Sequence, residues 1–234
     1  MEASGLASSR FNQNILWTHN DSGDSNRIFA MDINGNHVGE FLLNNTENRD
    51  WEDIAIGPGP MEGVDYIFVG DIGDNRSEHD IKHIYRFVEP QVYTNNQSSE
   101  TNINNIESIS YQYEDGNRDA ETLIVDPITK DIIIISKREE SAVNVYLLPF
   151  PHDTENILTA QLIMTKDFYP NINFNTSQWI VAGDISKDGS KILIKCYAIL
   201  SRSFLSFSFF FFFSFFFFFF FNFFNFLSLY YCFL

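Results

Sequence analysis

The sequence predicts an all-β protein, and three observations support this prediction. The first 200 residues contain many runs of about six residues that are rich in Ile, Val, Phe, Tyr and Leu. Gly, Asn, Asp, Pro or Ser separate many of these runs, as is typical of turns between strands. No stretch of this region keeps the 3.6-residue apolar period of an amphipathic helix over helical length.

In chain order, ten predicted strands are NILWTH, RIFAMD, HVGEFLL, DYIFVGD, HIYRFVE, SISYQY, DIIIIS, NVYLLPF, AQLIMT and KILIKCY. Asn34-Gly35 and Asp188-Gly189 are strong hairpin signals, and we expect type I′ turns there, in which both central residues have φ > 0. The Asn/Ser-rich segment from Tyr93 to Asn105 is predicted to be an insertion between strands.

A short motif occurs four times, as SGLASS, EDIAIG, ETLIVD and GDISKD, and aligns Leu6, Ile54, Leu123 and Ile185. Each copy is followed by a turn and a strongly apolar strand, and the first three copies are followed by two further strands. Four antiparallel strands per repeat, with about 40–45 residues in each, are typical of β-propeller blades. The sequence therefore predicts a partial propeller in residues 1–200, with three complete blades and part of a fourth in an open arc.

The order of the motifs SGL, LWTHNDSG, IFAMD, DWEDIA, GDIGDN, IYRFVEP, AETL, GDISKDG and CYA resembles a family of uncharacterised bacterial-type β-propellers. The resemblance covers residues 2–199, and the family is similar in architecture to NHL/YVTN-type, gluconolactonase-like and phytase-like propellers. It implies further blades, and this chain departs from the pattern at about Ser201.

Residues 201–234 form a Phe-rich, low-complexity tail. It holds 18 of the 26 Phe residues and has no charged residue from Ser203 onward. Its length satisfies the rule for a membrane-spanning helix, but natural spans use mainly Leu, Ile, Val, Ala and Gly. Phe, Ser, Leu, Asn, Tyr and Cys share T-rich or A/T-rich codons, which favours a translated non-coding stretch. A membrane anchor is the alternative, and in either case we expect the tail to lie outside the propeller.

The charge and the cysteine content exclude several classes of function. A formal net charge of −16 argues against nucleic-acid binding, which depends on Lys and Arg. The partner is therefore expected to be a small molecule or a protein, with a membrane only if the tail is an anchor. Two cysteines allow no disulfide framework and no CxxC zinc site. The start has no signal-peptide pattern, which predicts a cytoplasmic protein if it is soluble.

The first strand of each blade lines the axis of a propeller, and the aligned first strands contain carboxylates. Glu52 and Glu121 share one aligned position, Asp50 and Asp119 a second, and Asp53 and Asp184 a third. Carboxylates gathered around one axis need compensation by a cation or by hydrogen bonds, and calcium prefers six to eight oxygens. The alternative is that these acids accept hydrogen bonds from backbone N–H groups of the neighbouring blade.

The segment GDIGDN follows the second strand of the second blade, and THNDSGDSN occupies the equivalent place in the first. Their composition is that of turns, and neither matches an EF-hand loop. If they do more, Asp71 and Asp74 would add oxygens near Glu52. The predicted calcium ligands are therefore Glu52, Glu121, Asp71 and Asp53.

Two functions remain open on the sequence, beside the possibility that this is a non-functional fragment. The first is a propeller that serves as a scaffold or ligand-binding module. The second is a calcium-dependent hydrolase of the lactonase, phosphotriesterase or phytase type. The carboxylates favour the hydrolase, whereas the missing blades and the absence of an identifiable catalytic base favour the binding module or the non-functional fragment. No G-x-S-x-G motif supports a hydrolase with that type of nucleophile.

Overall fold

The computed structural model describes residues 3–93, 100–139, 142–167 and 179–197, and the backbone alone of 205–208 and 220–221. All regular secondary structure in these residues is β-strand, and none of them lies in a helix. The prediction of an all-β protein is therefore confirmed.

The strands group into blades as the repeats predict. The first blade consists of β1 (Ala3–Ser8), β2 (Ile15–Asn20), β3 (Arg27–Asp32) and β4 (His37–Leu43). The second consists of β5 (Trp51–Pro58), β6 (Asp65–Asp71), β7 (Lys82–Val88) and β9 (Glu107–Tyr113), with β8 (Glu100–Ile103) between the last two in sequence. The third consists of β10 (Ala120–Val125), β11 (Ile132–Ser136), β12 (Val143–Leu148) and β13 (Leu158–Lys166). The fourth sheet contains β14 (Ile180–Ile185), β15 (Ile192–Cys196), β16 (Leu205–Ser208) and β17 (Phe220–Phe221).

Two parallel strand pairs connect neighbouring blades at their outer edges. Strand β8 lies in the predicted insertion, but it pairs with β4 and gives the first sheet a fifth strand. Strand β9 pairs with β13, so the second and third blades form one eight-stranded sheet. Both contacts cover strand edges that would otherwise be open to pairing with another chain.

The inner strands β1, β5, β10 and β14 pack against one another in this order. Three apolar clusters fill the spaces between consecutive blades. Fully buried residues in them include Trp17 and Trp51 between the first two blades, Phe68 and Tyr111 between the second and third, and Ile180 in the last. Burying each such side chain contributes roughly 1.5–3 kcal/mol. The result is a nearly closed propeller-like arrangement, which confirms the predicted propeller fold but is more closed than the predicted open arc.

The hairpin turns differ in one detail from the prediction. Gly35 has φ 83° and Gly189 has φ 70°, but neither Asn34 nor Asp188 has a positive φ. The expectation of type I′ turns was therefore wrong. In both turns the N–H of the glycine bonds to the carbonyl three residues earlier, which is typical of a type I turn followed by a left-handed glycine.

The tail is only partly described. The backbone of β16 pairs with β15, and that of β17 pairs with β16. The rest of residues 198–234 lies outside the described residues, so the division at Ser201 stays a prediction. In the part of the chain that the structure describes, no helix is long and apolar enough to cross a membrane.

Candidate functional site

Three carboxylates meet at the end of the propeller where the inner strands begin. Asp21 follows β2, Asp50 precedes β5, and Glu52 is the second residue of β5. Each offers one oxygen, and these three oxygens lie within 4.8 Å of one another. We call these three residues the acid cluster. They form the only such group of potential metal ligands among the described residues.

A β-bulge places Glu52 in the acid cluster. Trp51 pairs with Asp71 and Asp53 pairs with Gly70, so Glu52 is the extra residue between two ladder positions. The aligned residue of the third blade, Glu121, is the extra residue of a bulge as well. Because a bulge re-aims a side chain and interrupts pairing, it frees these two glutamates from the regular alternation of a strand.

Glu52 is 4% exposed. No described residue donates a hydrogen bond to its carboxylate or forms an ion pair with it. Burial, together with the charges of Asp21 and Asp50, raises the pKa of Glu52 to about 9, against an opposing effect of Lys137. Burial and the charge of Asp21 likewise raise the pKa of Asp50 to about 6. The ionised acid cluster is therefore costly without a cation.

The segment GDIGDN forms one wall of the acid cluster. A Cβ atom at Gly73 would collide with Oδ2 of Asp50 and Oε1 of Glu52, so any other residue there would push these two carboxylates aside. The N–H of Gly73 donates to the carbonyl oxygen of Asp50 at 3.1 Å, which fixes this approach. The segment is thus a turn, as predicted, that also shapes the site.

Of the four predicted calcium ligands, only Glu52 belongs to the acid cluster, and Glu121, Asp53 and Asp71 lie outside it. Asp53 accepts hydrogen bonds from the N–H of Ile54 and, in the third blade, from the N–H of Leu123, both at 2.9 Å. Asp71 accepts one from the N–H of Asp50 at 2.8 Å. Both carboxylates are 1% exposed, and their main visible role is to hold backbone in place.

Asp74 also lies outside the acid cluster. It accepts hydrogen bonds from the N–H groups of Glu78 and His79, and from the ammonium of Lys82 at 2.6 Å. Lys82 is fully buried, so this ion pair stabilises the turn from inside. Removing the carboxylate of Asp74 would leave the buried ammonium of Lys82 without a partner, which is destabilising.

Basic residues from the third blade neutralise the remaining acids at this end. Glu121 forms an ion pair with Lys137, and Asp119 forms one with Arg138. Asp119 also accepts a hydrogen bond from the N–H of Asp74 at 2.8 Å, across the boundary between two blades. Glu121 is therefore already paired, unlike Glu52, although both occupy the same aligned position.

Aromatic rings cover the basic residues on the side of the fourth blade. The guanidinium of Arg138 lies 4.7 Å from the ring centroid of Trp179, within the range of a cation–π contact. The ammonium of Lys137 donates to the hydroxyl of Tyr197 at 3.1 Å. This end of the propeller thus has an acidic half on the first two blades and a basic, aromatic half on the other two.

Asp21 is the functional candidate that the sequence prediction left out. It lies in the THNDSGDSN turn, which was compared with GDIGDN only as an equivalent turn. The feature that could have identified Asp21 is the position of its turn, which lies at the end of the propeller where the inner strands begin. Asp50 was recognised as an aligned acid but was not among the predicted ligands.

Comparisons with known proteins identify no family. No family model and no curated protein matches the chain, and the predicted bacterial-type family therefore stays a prediction. Similar solved structures include Chaetomium thermophilum Sqt1 bound to the N-terminus of ribosomal protein L10 (15% identity, TM-score 0.41, covering 88% of this chain and 45% of that one). Others are a chain of the mitotic checkpoint complex (10%, 0.36, 82% and 60%) and Kuenenia stuttgartiensis hydrazine synthase (12%, 0.39, 88% and 61%).

The chain spans 45–61% of the length of these three chains. With identities of 15% or less and TM-scores of 0.41 or less, these similarities carry no argument about function.

Proposed function

We propose that this protein is a ligand-binding propeller module whose acid cluster binds a divalent cation, with calcium as the preferred ion. The observation that carries the proposal is the buried carboxylate of Glu52, which has no hydrogen bond or ion pair with a described residue although two further carboxylates stand beside it. A bound cation would offset the cost of bringing these three charges together.

The arrangement of oxygens favours calcium over smaller or softer ions. The acid cluster offers carboxylate oxygens only, which are hard ligands, and no Cys or His belongs to it. Three carboxylates supply three to six oxygens, depending on whether each binds through one oxygen or two. Calcium accepts six to eight oxygens in a flexible geometry, so positions would remain for water or for a ligand oxygen.

The proposal predicts that the full chain, purified in a mild detergent, binds calcium with a Kd below about 1 mM in isothermal titration calorimetry. Glu52→Gln is expected to weaken binding at least about tenfold, because it removes a charged ligand. Gly73→Ala is expected to weaken it similarly, since the new methyl group displaces the carboxylates of Asp50 and Glu52.

Glu62→Gln is the matched control, because the Glu62 side chain is 96% exposed and lies outside the acid cluster. It is expected to bind calcium as the unmodified protein does. The proposal would be wrong if the unmodified protein took up no calcium, or if Glu52→Gln bound it with unchanged affinity.

A calcium-dependent hydrolase is the second candidate, and the position of Lys137 favours it. Lys137 forms its ion pair with Glu121, and its charge also opposes the rise in the pKa of Glu52, so a basic group acts on the proposed cation site. Such a group would stabilise negative charge that develops on a lactone or phosphoester oxygen. Calcium-dependent turnover of a lactone or a phosphoester, lost in Lys137→Met with calcium affinity kept, would select the hydrolase over the binding module.

A further inference from the structure

A second polar site lies at the opposite end of the inner strands from the acid cluster. A cavity of about 200 Å³ separates the end of β1 in the first blade from the end of β14 in the fourth. Its volume is below the roughly 300–1,000 Å³ of sites for drug-sized ligands, so it suits a small molecule. The residues that line it include Ser8, Ser9, Arg10, Ile56, Asp184 and Lys187.

Arg10 brings hydrogen-bond donors to the cavity that the described protein does not use. Its side chain is 12% exposed, and its one ion pair, to Asp65, spans 3.3 Å. A guanidinium has five N–H donors in a planar fork that matches a carboxylate. A nearly buried guanidinium with a single long contact therefore has donors left for an acceptor inside the cavity.

Asp184 brings an unused acceptor. Its Oδ1 accepts the N–H of Ile185 at 2.7 Å, and no described residue donates to its Oδ2. The aligned Asp53 differs, because its Oδ2 accepts the N–H of Leu123 from the next blade. Burial raises the pKa of Asp184 to about 6, and the charge of Arg10 opposes this rise.

Lys187 completes the set from the turn that follows β14. It is exposed and forms no ion pair with a described residue. The cavity therefore combines two cationic groups, Arg10 and Lys187, with one carboxylate, Asp184. A simple anion would meet repulsion from Asp184, and a simple cation would meet repulsion from Arg10.

We propose that this cavity binds a small carboxylate that carries a hydroxyl or ammonium group on the adjacent carbon. Its carboxylate would lie against Arg10 and Lys187, and its hydroxyl or ammonium would donate to Asp184. Such a ligand satisfies the free donors and the free acceptor at the same time. The site is independent of the acid cluster and of the proposed cation binding.

Calorimetric titration of the full chain in EDTA tests the proposal, with glycolate and glycine as the probes and acetate as the comparison. We expect glycolate or glycine to bind with a Kd near about 1 mM and acetate at least about fivefold more weakly, because acetate leaves Asp184 unpaired. The stronger of the two probes identifies the group that Asp184 prefers.

Arg10→Gln is expected to weaken binding at least about tenfold, and Lys187→Gln about threefold because this side chain is exposed. Lys187→Gln is expected to fold normally for the same reason, so the test does not depend on the Arg10 variant alone. Lys191→Gln, on the same turn but outside the cavity lining, is the matched control and should bind normally.

Three results would overturn the proposal. The first is that neither glycolate nor glycine binds at millimolar concentration. The second is that acetate binds as tightly as both, which would remove the role of Asp184. The third is that Arg10→Gln and Lys187→Gln, folded by circular dichroism, both bind with the affinity of the unmodified protein.

Discussion

Glu89→Ala is expected to lower the free energy of unfolding by about 3–5 kcal/mol. Glu89 follows β7 in the second blade, is 5% exposed, and reaches the turn between β1 and β2 of the first blade. Its carboxylate accepts hydrogen bonds from Ser9 Oγ, the N–H groups of Arg10 (3.2 Å) and Phe11 (3.1 Å), Asn12 Nδ2 (3.2 Å) and Trp17 Nε1 (2.9 Å).

The reason for so large an effect is that one side chain satisfies several donors that have been removed from water. Trp17 is fully buried, so its indole N–H would lose its acceptor in the variant. Leaving a buried donor unsatisfied costs about 1–3 kcal/mol. The first blade would lose its main polar connection to the second at this end.

Urea unfolding followed by tryptophan fluorescence measures this effect, with Glu62→Ala as the control. Glu62 is 96% exposed, so its replacement is expected to change the free energy of unfolding by less than about 0.5 kcal/mol. A Glu89→Ala protein within about 1 kcal/mol of the unmodified one would show that the hydrogen bonds to Glu89 contribute little to holding the two blades together.

The second large effect concerns Glu52 and pH. Without calcium, the unmodified protein is expected to lose stability as the pH rises from 7 to 9. The folded pKa of Glu52, about 9, lies above its ordinary value of 4.5, so the folded state keeps a proton that the unfolded chain releases. The stabilising contribution is complete below the ordinary pKa and is lost as the pH rises through the folded one.

Glu52→Gln replaces the titratable carboxyl group with a neutral amide, so residue 52 no longer releases a proton as the pH rises. At pH 9 in EDTA, the variant is therefore expected to melt at least about 3 °C above the unmodified protein. Asp50, with a pKa of about 6, is already ionised over this pH range and disturbs the comparison little. Saturating calcium should reverse the order, because only the unmodified protein gains binding energy.

Thermal melts at pH 7 and 9, with EDTA and with calcium, provide the measurement, and Glu62→Gln should follow the unmodified protein throughout. A Glu52→Gln protein that melts below the unmodified one in EDTA at pH 9 would contradict the buried, unpaired state of Glu52. If only the melts with calcium failed to show the expected reversal, Glu52 would still be buried and unpaired, and the result would count against the proposed function.

The positions of the strands could be predicted closely from the sequence. Arg27–Asp32, His37–Leu43 and Asp65–Asp71 form strands with the same bounds as predicted. This succeeded because apolar runs and turn residues act over a few neighbours along the chain. The blade repeat followed for the same reason, since the four inner strands share one local motif.

Strand β8 was missed because its four residues, Glu-Thr-Asn-Ile, are mostly exposed and carry no apolar run. Parallel pairing with β4 creates this strand, so it depends on a contact between residues about 60 apart in sequence. The positive φ of Gly35 and Gly189 was predicted correctly. Asn34 and Asp188 were also expected to have a positive φ, and they do not.

The local sequence also determined that Glu52 and Glu121 are equivalent in the repeat, but only the packing of the blades made them different. Glu121 lies beside Lys137 and is paired, whereas Glu52 lies beside Asp21 and Asp50 and is not. The same packing set Asp53 against a backbone N–H of the next blade. Electrostatic surroundings depend on which side chains approach through space, and neither residue spacing nor composition along the chain carries that information.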